Sequence, residues 1–137
     1  MNRRFISIMI VTVILVTGAI TFAQQQRPFN ELMKEVQTTF GSLRKNIEGN
    51  NPAAVAQDAA KLETLFTEAE AFWAVFDTQD AMGFAKRGRE AAAAVGAAAK
   101  ANDLKAAQTS VPAIQKTCAN CHYSHREETG KGFFIKP

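Results

Sequence analysis

Cysteine and histidine are scarce in this chain and confined to one place. Of the 137 residues only two are cysteine and two are histidine, and all four lie between Thr117 and Glu127. A second lack concerns β-structure: no stretch alternates polar and apolar residues as a half-buried strand does, and glycine and proline fall mostly at the edges of apolar-periodic segments. This pattern predicts an all-helical protein.

The chain also has almost no net charge outside its first 23 residues. The first 23 residues hold two of the sixteen Lys and Arg and none of the thirteen Asp and Glu, so 14 basic residues face 13 acidic ones in the remainder. A net charge of +1 does not mark a nucleic-acid binder, and we expect no nucleic-acid partner.

The N-terminus has the form of an export signal. A basic start is followed by an apolar run from Phe5 to Val16, and Thr21 and Ala23 occupy small-residue positions. We therefore predict a secretory signal peptide over residues 1–23, cleaved after Ala23, and a periplasmic protein without membrane attachment. An uncleaved membrane anchor is the alternative. The 114 residues from 24 to 137 have the size of one compact domain.

Four stretches space their apolar residues by three and four, which predicts four helices. The first has Asn30 as N-cap and Gly49 as stop, the second runs from Asn51-Pro52 to Asp77, the third from Asp80 to near Asn102, and the fourth begins at Asp103 and includes His125. Pro112 should kink or split the fourth. Short links between such helices predict an antiparallel four-helix bundle, with a tail from Thr129 that packs back on the bundle or meets a partner.

The fourth helix carries the chemistry. Cys118 and Cys121 lie three residues apart, on the same apolar stripe as Ile114, and His122 follows at once. Cys-x-x-Cys-His is the signature of covalent c-type haem attachment. Two thiols form thioethers with the haem vinyl groups, and the adjacent imidazole binds the iron. The sequence therefore predicts one covalently attached haem c near the C-terminal end of this helix.

Three other interpretations of the motif fit the chain less well. A disulfide between residues three apart on a helix has poor geometry and closes almost no loop. A zinc site would have to take its four ligands from Cys118, Cys121, His122 and His125, which one helix cannot wrap around an ion. A thioredoxin-like dithiol requires a βαβ pattern that the chain lacks.

Over residues 29–128 the chain resembles the class II cytochromes c, which include cytochrome c′ and its low-spin relatives. The resemblance rests on Cys118-Ala119-Asn120-Cys121-His122 with Arg126 four residues later, on Leu32-Met33-Lys34 followed by Phe40-Gly41, and on Asn102-Asp103-Leu104. It implies an exported four-helix bundle with haem near the C-terminus. His125 departs from the family, which usually has Phe or Tyr there.

The resemblance also implies roles for single residues. Met33 matches the family position on the distal side of the haem, where a methionine sulfur binds the iron in low-spin electron carriers; the alternative is an ordinary core methionine. Arg126 matches an arginine beside the proximal histidine, which pairs with a haem propionate or a carbonyl, or else is an exposed cation at the helix end. We expect His125 to edge the pocket or meet solvent, Trp73 to be core and Tyr123 to be surface.

Two functions from different classes follow from these expectations. The first is a periplasmic monohaem electron carrier, not an enzyme, with His122 and Met33 as axial ligands and redox proteins as partners. The second is a five-coordinate protein, similar to cytochrome c′, that binds NO or CO at an open distal site. A haem-free structural bundle is a third, remote interpretation. Pairing into a homodimer is compatible with all of them.

Overall fold

The fold consists of four helices followed by a short β-hairpin. The computed structural model describes residues 27–130 and 132–136. Its elements are α1 (Phe29–Glu48), α2 (Pro52–Ala74), α3 (Gln79–Lys100), α4 (Leu104–His125), β1 (Arg126–Thr129) and β2 (Gly132–Ile135). The predicted four-helix bundle is confirmed, whereas the hairpin was not predicted. The predicted signal peptide, residues 1–23, lies outside the described residues.

Two helix starts follow the predicted capping chemistry. The Asn51 side chain accepts a hydrogen bond from the Ala54 N–H at 3.1 Å, and Pro52 occupies the first turn of α2. The Asp103 side chain accepts from the Ala106 N–H at 2.9 Å at the start of α4. Each side chain satisfies a backbone donor that the first turn leaves without a helical partner.

Three predicted helix ends are wrong by a few residues. α1 begins at Phe29, with Pro28 in the N-cap position and without a capping side chain, so Asn30 lies inside the helix. α2 ends at Ala74, and Asp77 is left-handed with φ of 53°. α3 begins at Gln79, one residue before Asp80.

The predicted split at Pro112 does not occur, because α4 is one continuous helix. Pro112 lies on the exposed side of α4. There the Gln108 carbonyl, which loses its helical donor, is accessible to water, so the broken backbone bond is less costly than it would be in the core.

Contacts between α2 and α3 show that these helices run antiparallel. Gly88 of α3 lies against Phe66 of α2, and Gly96, further along α3, lies against Ala59, which comes earlier in α2. A Cβ on Gly88 would come within 2.7 Å of the Phe66 ring, so the helices approach closely only because this position has no side chain.

The core runs along three of the four interhelical faces. α2 packs extensively on α1 and α3, and α3 packs extensively on α4, whereas α1 and α4 have few contacts. The largest fully buried side chains are Trp73, Leu43, Leu62, Ile114, Val55 and Val95. Within the described residues, no helix combines the length and the apolar character that crossing a membrane requires.

The hairpin continues directly from α4. Its two strands pair antiparallel, with Arg126 opposite Ile135 and Thr129 opposite Gly132. One more hydrogen bond ties the hairpin to α4: the Lys136 N–H donates to the His125 carbonyl at 3.1 Å. The side chains of Phe133, Phe134 and Ile135 are exposed.

Candidate functional site

The two cysteines lie on the inward stripe of α4, as the sequence predicted. Ile114 is fully buried, and Cys118 one turn later is half-buried and packs against the core. Cys121 is also half-buried, and His125 at the end of the stripe is buried. Both cysteines are free thiols. The stripe therefore presents two adjacent thiols at the margin of the core.

Burial keeps these thiols protonated. It raises the pKa of Cys118. The pKa of Cys121 is raised to about 11, chiefly by burial and further by the negative charges of the Cys118 thiolate and of Asp80. At neutral pH both sulfurs carry their protons, so neither is a reactive thiolate of the kind found in redox-active cysteine pairs.

His122 is suited to donate a lone pair to a metal. His122 is exposed at the surface of α4, yet the atoms around its ring displace enough water to lower its pKa, and the positive charge of Arg126 lowers it further. The imidazole is therefore neutral at neutral pH, which is the form that binds metals.

The direction in which Met33 projects follows from the contacts of α1. Glu35 pairs with Lys61 at 2.7 Å, and Asn46 donates to Asp58 at 2.8 Å, so these two α1 residues mark the flank that faces α2. Successive helical residues turn by about 100°, which places Met33 on the opposite flank. Phe40 and Ile47 share its flank, and all three are half-buried against the core.

The same reasoning orients α4. Ala113, Thr117 and Asn120 line a groove against α3 and mark the flank that faces that helix. The opposite flank carries Leu104, Val111, Cys118 and His122, of which the first three are half-buried against the core. In a bundle whose links join α1 to α2 and α3 to α4, these flanks of α1 and α4 face each other. We call this surface the α1–α4 seam; its members are Met33, Phe40, Ile47, Leu104, Val111, Cys118 and His122.

Met33 and the cysteine motif lie at the same end of the seam. The Phe29 ring, at the start of α1, lies 5.5 Å from the Trp73 ring, which in turn lies 5.0 Å from the His125 ring at the end of α4. Met33 is about one helical turn beyond Phe29, and His122 is about one turn before His125. The predicted site residues are therefore brought to one end of the bundle.

Arg126 extends from the helix end into the hairpin. Its guanidinium carbon lies 3.4 Å from the centre of the Phe133 ring, a cation–π contact. The residue is exposed, and its charge acts on His122, as expected of a cation beside that imidazole. The predictions for Trp73 and Tyr123 are confirmed, with exposed fractions of 2% and 89%.

Of the two expected positions of His125, at the edge of the pocket or in solvent, the second is wrong. Its ring is buried, with Nδ1 2.9 Å from the Lys136 carbonyl oxygen and Nε2 3.0 Å from Asp80 Oδ2. Both nitrogens are thus engaged, which leaves the zinc alternative without its fourth donor. Across residues 27–130 and 132–136, no three or more Cys, His, Asp and Glu side chains are grouped so as to hold a metal ion.

The sequence did not identify two residues at this end of the bundle as part of the site. It indicates Asp80 only as a helix start, yet the Asp80 carboxylate pairs with His125 and helps to raise the pKa of Cys121. Met82, half-buried near the start of α3, is a second methionine at the end of the bundle that carries the motif. The antiparallel order of the predicted helices could have located both.

Comparison with known proteins adds no relative: no protein-family model matches the chain, and no curated protein matches it significantly.

Proposed function

We propose that this protein is a periplasmic monohaem c-type cytochrome that carries electrons between redox proteins. One haem c is attached through Cys118 and Cys121, with His122 as one axial ligand of the iron and Met33 as the other. Its resemblance to the class II cytochromes c agrees with this proposal.

The observation that carries the proposal is the α1–α4 seam. Its side chains are apolar or of the kinds that attach or ligate a haem, and the two helices that form it have few contacts with each other. A flat apolar cofactor needs such a surface, with attachment groups on one side and a soft ligand on the other. Met33 and the Cys118–His122 motif meet this need at one end of the bundle.

Each residue has a defined task in this proposal. The thiols of Cys118 and Cys121 would each add S–H across a haem vinyl group, and the resulting thioether bonds would fix the haem to α4. Neutral His122 offers a nitrogen lone pair, and the Met33 thioether is a soft ligand that raises the reduction potential. When bound, haem supplies a one-electron change at its iron. Because both ligands are held on helices, little of the polypeptide needs to rearrange during transfer.

The first test is the mass and the optical spectrum of protein matured in a host that attaches haem. We expect the polypeptide mass plus one haem, and a low-spin spectrum with a methionine-to-iron charge-transfer band that does not respond to CO. A bare polypeptide from such a host would contradict the proposal.

The axial ligand is tested by paired methionine variants. Met33→Ala should abolish the charge-transfer band and open the iron to CO, because the ligand is removed. Met82→Ala is the matched control and should leave both unchanged. Loss of the band in Met82→Ala instead would assign the ligand to α3, and a high-spin parent that binds CO rapidly would favour the NO- or CO-binding function.

A further inference from the structure

His125 connects the end of α4 to several other parts of the fold, and the proposed function does not account for these contacts. It ends α4, and its buried ring contacts two other helices and the residue that follows β2. It lies 5.0 Å from the Trp73 ring of α2, bonds the Asp80 carboxylate near the start of α3, and bonds the Lys136 carbonyl just beyond β2. The adjacent Lys136 N–H donates to the His125 carbonyl, so this residue is bonded to the tail through both its ring and its backbone.

The two ring bonds define the protonation of the ring. A carbonyl oxygen only accepts, so Nδ1 must donate to Lys136. Asp80 is also an acceptor, because its bond with His125 holds the pKa of this carboxyl below its usual range. Nε2 must then donate as well. Both bonds form together only when the ring carries two protons.

We propose that His125 is a positioning residue. It fastens the start of α3 and the C-terminal strand to the last turn of α4, and so holds the helix end that carries Cys118, Cys121 and His122. The part that concerns the motif rests on the proposed function; the fastening itself does not.

A phenylalanine at this position would separate the two contributions of the ring. It could keep the packing on Trp73, but it has no donor for Asp80 or for the Lys136 carbonyl. His125→Phe therefore removes the fastening while retaining the apolar contact. Tyr123→Phe, which alters an exposed ring on the same helix turn, is the matched control.

The two links of the ring are independent of each other. Nε2 bonds the Asp80 carboxylate and Nδ1 bonds the Lys136 carbonyl, so loss of one partner leaves the other bond in place. Among the described residues, Asp80 is the one ionisable side chain bonded to the ring, since Trp73 carries no charge and the neighbouring Arg126 charge lies over Phe133.

The experiment measures amide hydrogen exchange in the full chain, with and without attached haem. In His125→Phe we expect roughly tenfold faster exchange at the Lys136 amide and the hairpin amides, the effect of about one hydrogen bond. The α2 and α3 core amides and the Tyr123→Phe variant should not change. In Asp80→Asn the hairpin should keep its protection, because the bonds between His125 and Lys136 do not involve Asp80.

The second readout is the ferric electron paramagnetic resonance spectrum of the haem-loaded protein, which reports the orientation of the axial imidazole. His125→Phe should broaden it, and Tyr123→Phe should not. Unchanged exchange in His125→Phe would overturn the fastening, and an unchanged spectrum beside faster exchange would overturn its effect on the motif. A parent protein that carries no haem would overturn the proposed function instead, while the exchange experiment on that protein would still test the fastening.

Discussion

At the scale of single residues, the chemistry of this chain is concentrated in the last two turns of α4. Cys118 and Cys121 border the core, His122 lies beside Arg126, and His125 is bonded to Asp80. Their environments differ although they lie within eight consecutive residues, because a helix turns each one toward a different neighbour. Reactivity here depends on helix position as much as on residue type.

The raised pKa of Cys121 predicts slow alkylation in the haem-free folded chain. At Cys121, followed by peptide mass spectrometry in the unsubstituted chain, a pKa about two units above the ordinary value lowers the thiolate fraction about a hundredfold at pH 8. The more basic thiolate is intrinsically more nucleophilic, which offsets part of this. We expect iodoacetamide to react about tenfold more slowly with folded than with urea-unfolded chain.

The pH profile provides the check. Because burial favours the neutral thiol, the folded rate should keep rising up to about pH 11, whereas the unfolded rate levels off earlier. A folded rate that levels off near pH 9 would contradict the assigned burial of Cys121.

Sequence reasoning placed Cys118 and Cys121 correctly on the inward stripe of α4, but it did not find the partners of His125. The spacing of Cys118, Cys121 and His122 lies within one helical turn and a half, so the motif can be read directly. The partners of His125 are 45 residues earlier, at Asp80, and 11 residues later, at Lys136. Only the antiparallel arrangement of α3 and α4 and the return of the hairpin bring them together.

At the scale of helices and strands, the contact between α2 and α3 is the tightest in the fold. Gly88→Ala should destabilise the protein, because the new Cβ would lie 2.7 Å from the buried Phe66 ring and force it to move. We expect a loss of about 1–3 kcal/mol in the free energy of unfolding, as for other overpacked cores. Urea unfolding followed by circular dichroism measures it.

Gly41→Ala is the matched control, since no atom lies within 4 Å of the added Cβ in the middle of α1. This change should stabilise the protein by about 0.5–1 kcal/mol through helix propensity alone. Equal effects of the two substitutions would show that the approach of α2 and α3 does not depend on Gly88.

The presence of the four helices was predictable from the sequence. The positions of their ends were predictable only where a side chain caps the helix. Asn51 was predicted as a cap and Asp103 as the start of the fourth helix, and both side chains accept a capping hydrogen bond. Asn30 was predicted for the same reason and does not, because Pro28 fixes the start of α1 without a side-chain bond. The hairpin was missed since each strand has four residues, too few for alternation to be recognised beside the Gly130 turn.

At the scale of the whole molecule, the bundle is closed on three sides and loosely closed on the fourth. Core burial on α1 centres on Leu32, Val36, Thr39 and Leu43, whereas Met33, Phe40 and Ile47 remain at the margin. The three-and-four spacing of apolar residues puts Met33, Val36, Phe40, Leu43 and Ile47 on a single stripe and so does not separate these two sets, because periodicity alone does not reveal which flank has a close neighbour. The topology was predictable, but the loose α1–α4 seam was not.

This asymmetry predicts that α1 is the least protected helix of the haem-free chain. It is held mainly by α2, so we expect its amides to exchange faster than those of α2 and α3. Haem attachment should slow exchange in α1 more than in α2, because the cofactor would supply the missing contacts. Hydrogen exchange with mass spectrometry measures both, and α1 protection equal to that of α3 before loading would contradict this account.

The short links between helices bear on how quickly the chain reaches its native state. Each link has three or four residues and turns through one left-handed residue, namely Asn50, Asp77 or Asn102. Every extensive helix contact therefore joins sequence neighbours, and the pairing that closes the longest loop, α1 with α4, is the weakest. Low contact order of this kind favours rapid collapse. Each of the three pairs of consecutive helices can form from nearby segments. The contact between the first and last helices is therefore expected to form most slowly.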